Sequence, residues 1–194
     1  MAAGCAPLVL GSALGGAFVA SDRRTSGTQL EDKSIEIKAG SRIRDTVSIG
    51  AHVNATAYNR VVLLTGEVAT EADRAAIEQA VARIENVQSV VNEIAVTEVS
   101  SFGSRTNDTV INGKIKASFV DARDMFSNAY KVVVERGDVY LMGLVTEREA
   151  MRGAEVASGV SGVNKVVKVF TLITEDELAR RTPAPAPAPA ASNP

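Results

Sequence analysis

The chain has 194 residues and a formal charge of −2. That balance argues against a general nucleic-acid binder, which carries a basic excess. It has no tryptophan for base stacking or a membrane-interface anchor, and its single cysteine, Cys5, excludes an internal disulfide and a cysteine metal cluster.

Residues 1–20 open Met-Ala-Ala-Gly-Cys and continue as a Gly/Ala-rich apolar stretch to Ala20. The stretch is about 15 residues, short of the roughly 20 that span a bilayer. No Lys or Arg precedes it, and Phe18-Val19-Ala20 makes a poor small-x-small cleavage site. Ala2-Ala3-Gly4-Cys5 admits two readings. One is the end of a bacterial lipobox, with Cys5 as the acylated N-terminus; the other is a free thiol in an unstructured arm. Residues 21–31 are polar and read as a linker, so 1–31 is expected to hold a lipobox remnant and a linker.

A first module is expected over 32–98. Ile35, Ala39 and Ile43 recur every four residues, an apolar helix stripe. Val53, Ala55 and Ala57 alternate with polar residues, the pattern of a half-buried strand. Asn59-Arg60 predicts a tight turn into a second strand at 61–65. Gly66 follows, and Thr70 with Asp73 predicts a capped helix over 71–85, with Ile77, Val81 and Ile84 inward. A third strand is expected over 90–96.

After a Ser/Gly linker at 99–106, the order repeats over 107–174. Ile111, Ile115 and Phe119 match the first stripe at an offset of 76 residues, as does the cap pair Thr146 and Glu149. Strands are predicted at 131–135, 139–143 and 165–173, around a helix over 147–158. The strand glycines Gly66 and Gly143 lie 77 apart, so one residue is lost before the second helix. A repeat of this kind outranks other readings. It predicts an α+β protein of two tandem αββαβ modules, each a three-stranded sheet packed by two helices. Residues 175–194 end in alternating Pro-Ala and are expected to form an extended, disordered tail.

No catalytic constellation stands out. His52, the one histidine, reads as a polar strand-edge residue. A Gly-rich phosphate loop and a nucleophile elbow are both missing. Glu71, Asp73, Glu147 and Glu149 sit at helix starts, where carboxylates serve capping and the helix dipole. The expectation is therefore a non-enzyme with no cofactor and no metal.

The strand glycine with its apolar run, the threonine-capped helix, and Ser161-Gly162-Val163 before the last strand together resemble the BON-domain family. Residues 22–29, Asn107-Asp108-Thr109 and the run 139–150 resemble more narrowly its dual-BON outer-membrane lipoproteins from proteobacteria, which are associated with division sites and phospholipid binding. The resemblance implies acylation at Cys5 (palmitate among the chains) and an outer-membrane anchor facing the periplasm. It also implies anionic phospholipid, phosphatidylglycerol or cardiolipin, as the partner, engaged through the first helix of the second module. Mapped onto this chain, the phospholipid-binding residues are Val110, Ile111, Lys114, Phe119 and Val120. Val110 stands where one such relative carries a membrane-inserting aromatic residue. The bland reading of the same helix puts Ile111, Ile115 and Phe119 in the core and leaves the lysines as a wet face. Two rival functions remain open: a protein–protein interaction module of envelope assembly, and a soluble periplasmic osmotic-stress protein.

Overall fold

A computed structural model of the protein describes residues 22–47, 51–98 and 102–181. Cys5, the apolar stretch before Ser21 and the Pro-Ala run lie outside the described residues. Module 1 comprises α1 (Ser26–Thr46), β1 (His52–Tyr58), β2 (Val61–Val68), α2 (Glu71–Ala82), β3 (Ser89–Asn92) and β4 (Ala95–Val96). Module 2 comprises α3 (Phe102–Asp121), a 3-10 turn (Ser127–Ala129), β5 (Tyr130–Glu135), β6 (Asp138–Val145), α4 (Glu147–Ser158) and β7 (Lys165–Leu172), followed by α5 (Glu175–Arg181). In each module an antiparallel hairpin is extended by a third strand parallel to the central one: β1-β2-β3 in the first, with β4 also beside β2, and β5-β6-β7 in the second.

The alternation of each central strand makes it two-faced. Val62, Leu64 and Val68 face α1 and α2, packing with Ile35, Ala39, Ile43, Ile77 and Val81. Val139, Leu141 and Val145 do the same beneath α3 and α4, with Ile111, Ile115, Phe119 and Ala157. The opposite faces meet each other. Tyr58 and Leu63 from one sheet pack with Tyr140, Met142, Leu144, Val169 and Ile173 from the other. The result is four layers, helices outside and two sheets stacked within, so each small module borrows core from its twin.

The hairpins are held by a shared device. Asn59 and Arg60, and likewise Arg136 and Gly137, have positive φ, the conformation of the tight turns that suit twisted strands. Asp32 accepts hydrogen bonds from the amides of Asn59 and Arg60 at 2.8 and 2.7 Å. Asp108 accepts from Arg136 and Gly137, both at 2.8 Å. Each leading helix thus clamps the turn of its own hairpin.

The strand glycines are required by close approach. A Cβ on Gly66 would meet the His52 carbonyl, and one on Gly143 the Ala129 carbonyl. Only Gly66 adopts a positive φ, +114°. That kink interrupts the ladder opposite Glu93-Ile94, so the third strand expected over 90–96 is two short pieces, whereas β7 runs unbroken along β6. The caps differ as their chemistry predicts. Thr146 and Glu149 exchange both bonds of a capping box. Asp73, shorter by a methylene, donates its backbone amide to Thr70 and has its carboxylate on the Thr70 hydroxyl, 2.7 Å away.

Parts of three stretches expected to lack structure are helical among the described residues. The linker read at 21–31 holds a strap and the first turns of α1, with Thr25 as N-cap. Arg23 grips Glu149 with two bonds of 2.8 and 2.7 Å and donates to the Leu144 carbonyl. Arg24 pairs with Asp22 and Asp32 and lies 3.9 Å above the Tyr58 ring. Polar composition suggested a linker because Glu149, Leu144 and Tyr58, which these arginines engage, are remote in sequence. The linker at 99–106 gives way to α3 from Phe102, and the start of the tail forms α5, whose Leu178 packs at the inter-sheet core.

Candidate functional site

Three inward side chains, one helical turn apart, seat α3 on its sheet. Ile111, Ile115 and Phe119 are buried, and the Phe119 ring packs tilted against the Tyr130 ring, centroids 5.0 Å apart. Asn112 adds a 3.0 Å bond to the Val132 carbonyl. At 100° per residue, seating these three sends Val110, Gly113, Ala117 and Val120 to the opposite side. All four are exposed, Val110 by 50% and Val120 by 70%. Nothing lies within 4 Å of where a Gly113 Cβ would be. The outer face of α3 is therefore a flat apolar stripe open to solvent.

Lys114 and Lys116 project from either flank of that stripe and are exposed. Among the described residues neither has a carboxylate within ion-pair distance. Their stems can lie along the apolar face while the ammonium groups stay in water.

The structure divides the expected site residues. Val110, Lys114 and Val120 share the open face. Ile111 and Phe119 do not: at 1% and 2% exposure they belong to the core. Their positions in the inward stripe, i and i+8, carried that signal.

One residue went unrecognised. Phe126, 43% exposed, follows α3 and carries the Arg23 guanidinium 5.3 Å from its ring centroid. Beside the end of the helix, Lys116, Val120, Ser127, Asn128 and Val132 help line a groove of about 310 Å³. An aromatic in the polar run Ala122-Arg123-Asp124-Met125-Phe126-Ser127 was the available clue. His52 lies elsewhere, on the inward face of β1. Among the described residues no three His, Cys, Asp or Glu side chains converge as metal ligands.

The BON domain signature matches twice, over residues 31–98 and 107–174. The chain belongs to the BON-domain family. It is 37% identical over 170 residues to the outer membrane lipoprotein DolP of Haemophilus influenzae, covering 86% of this chain and 88% of that protein. It is 32% identical over 154 residues to a 21 kDa hemolysin of Actinobacillus pleuropneumoniae, covering 78% and 79%. Among solved structures, CdsD of the Chlamydia trachomatis type III secretion system overlaps with a TM-score of 0.30 at 11% identity, over 74% of this chain and 95% of that one. No helix among the described residues is long and apolar enough to cross a membrane.

Proposed function

We propose that this protein is a non-enzymatic outer-membrane lipoprotein, acylated at Cys5 and facing the periplasm, that binds anionic phospholipid through the outer face of α3. The observation that carries the binding reading is the Val110-Gly113-Ala117-Val120 stripe flanked by two unpaired lysines. The anchor rests on the likeness to an outer membrane lipoprotein and on the Ala-Gly-Cys sequence ending at Cys5.

The magnitudes suit a tethered protein. Two lysines near an anionic surface contribute about 1 kcal/mol each. Shallow insertion of two half-exposed valines adds about 1 kcal/mol each. A total of about 4 kcal/mol corresponds to millimolar affinity. An acyl anchor makes that contact intramolecular, so a weak face suffices.

Co-sedimentation of the unacylated protein with vesicles at millimolar lipid tests the headgroup. Binding to phosphatidylglycerol or cardiolipin vesicles and weak binding to phosphatidylcholine is expected; equal binding to both overturns it. Mass spectrometry of the native protein tests the anchor, because an unmodified Met1 start excludes acylation at Cys5.

A further inference from the structure

The duplication gives each interface position a repeat counterpart 77 residues away. Tyr58 corresponds to Glu135, and Glu67 to Leu144. The two ends of one interface therefore differ in chemistry. At one end Tyr58 meets Leu144 in an apolar cluster. Arg24 lies over the Tyr58 ring, and Arg23 bonds the Leu144 carbonyl at 3.0 Å, so that end is pinned. At the other end Glu67 lies near enough to Glu135 for its charge to act on that carboxyl. Glu67 is 0% exposed, and neither of its carboxyl oxygens has a hydrogen-bond partner. No ion pair reaches either glutamate among the described residues.

A buried carboxylate without a partner is costly, and two facing each other add repulsion. Protonation of Glu135 relieves that repulsion. We infer that the Glu67–Glu135 end of the inter-module interface is a proton-operated clasp, closed when Glu135 is protonated and opening about the pinned Tyr58–Leu144 end when Glu135 ionises. Burial, then the Glu67 charge, pushes the Glu135 carboxyl above its ordinary 4.5, against the opposing pull of His52 and Asn54. A carboxyl raised in the docked state stabilises docking fully below 4.5 and loses that contribution as pH rises through the raised value.

The surrounding charges come from every neighbouring element. His52 on β1 is paired in register with Glu67, and its Nε2 lies 3.2 Å from Asn54 Nδ2. Arg105 and Asp108 on α3 line the cleft on one side of Glu135. Arg74, Glu93, Arg136, Asp138 and Lys165 line the cleft on the other. Asp108 is engaged by the turn amides, and Lys165 by Asp138 and Glu93. These clefts give water a route to the acid end once it loosens.

The test is amide hydrogen exchange on the full chain at pH 5.5, 7 and 8.5, corrected for intrinsic rates. The opening equilibrium at His52–Asn54 and at the Glu135–Asp138 turn should grow by up to about tenfold per pH unit across the raised range. Amides around Tyr58 and Leu144 should change little. Glu67→Gln should hold the acid end at its low-pH protection throughout, and Glu135→Gln, at a less buried position, provides the same reading if the first variant folds poorly. Glu67→Leu, which installs the residue of the second module, should tighten the clasp at every pH. An unchanged pH slope in both glutamine variants, or equal loss of protection at both ends, would overturn the clasp.

Discussion

The two leading helices, α1 and α3, share their buried faces and differ on their open ones. Ile35, Ala39 and Ile43 in one correspond to Ile111, Ile115 and Phe119 in the other, and Asp32 to Asp108. The outward stripe of α3, Val110-Gly113-Ala117-Val120, is Ser34-Ile37-Ser41-Arg44 in α1. Charges on α1 are also engaged. Glu36 pairs with Lys33 at 3.2 Å and with Lys131 of the other module at 2.8 Å. Burial and then Lys131 act on the Glu36 carboxyl, and the pairing wins, leaving it below its ordinary range. Duplication thus left one helix to bind its twin and the other with a bare, cation-flanked face. Core positions are constrained in both copies by packing, while an outer face is constrained only by what it touches.

The largest expected effect tests whether α1's module depends on the strap. Burial pushes the Glu149 carboxyl up, but the Arg23 guanidinium and the Thr146 amide bring it below its usual 4.5. Arg23→Ala leaves that buried carboxylate alone and should cost about 3 kcal/mol in urea unfolding at pH 7. Because the folded value is lowered, the pair's contribution is complete above pH 4.5 and falls away as pH drops through the lowered value. Stability measured from pH 7 down to pH 3 should therefore fall more steeply in the native protein than in Arg23→Ala. A cost below about 0.5 kcal/mol would place the strap among ordinary surface pairs.

The next effect tests the open face directly. Val110→Asp with Lys114→Glu should abolish binding to anionic vesicles and leave the thermal midpoint within about 2 °C, since exposed substitutions rarely matter to folding. An envelope-protein interaction module would show no change in vesicle binding. A gain-of-function variant sharpens the contrast. Val110→Trp adds apolar area and interfacial preference, and should raise vesicle affinity about fivefold, roughly 1 kcal/mol. Ser34→Trp, the same change on α1, should raise it less.

The smallest effect compares the caps. Thr146→Ala breaks a full capping box and should cost about 1–2 kcal/mol, while Thr70→Ala, with its partial cap, should cost about 0.5–1 kcal/mol by thermal unfolding. Equal costs would mean that the reach of Glu149 adds nothing beyond the hydroxyl bond.

Local signals determined much of this protein without coordinates. Apolar spacing every four residues, alternation over β1, and threonine–carboxylate pairs gave the helices, strands and module order, because each depends on neighbours in the chain. The duplication gave the number of modules, and the inward stripe already separated Ile111 and Phe119 from Val110 and Val120. Tertiary structure decided the rest. Arg23, Arg24 and Leu178 look like linker and tail residues until Glu149, Tyr58 and the opposing sheet arrive from more than 30 positions away. Glu67 looks like an ordinary strand residue until the second sheet covers it. Phe126 looks like a loop residue until the Arg23 guanidinium comes to lie over its ring. Sequence pattern reports which face of an element is apolar; only packing decides what that face meets, because partners across an interface have no fixed spacing along the chain.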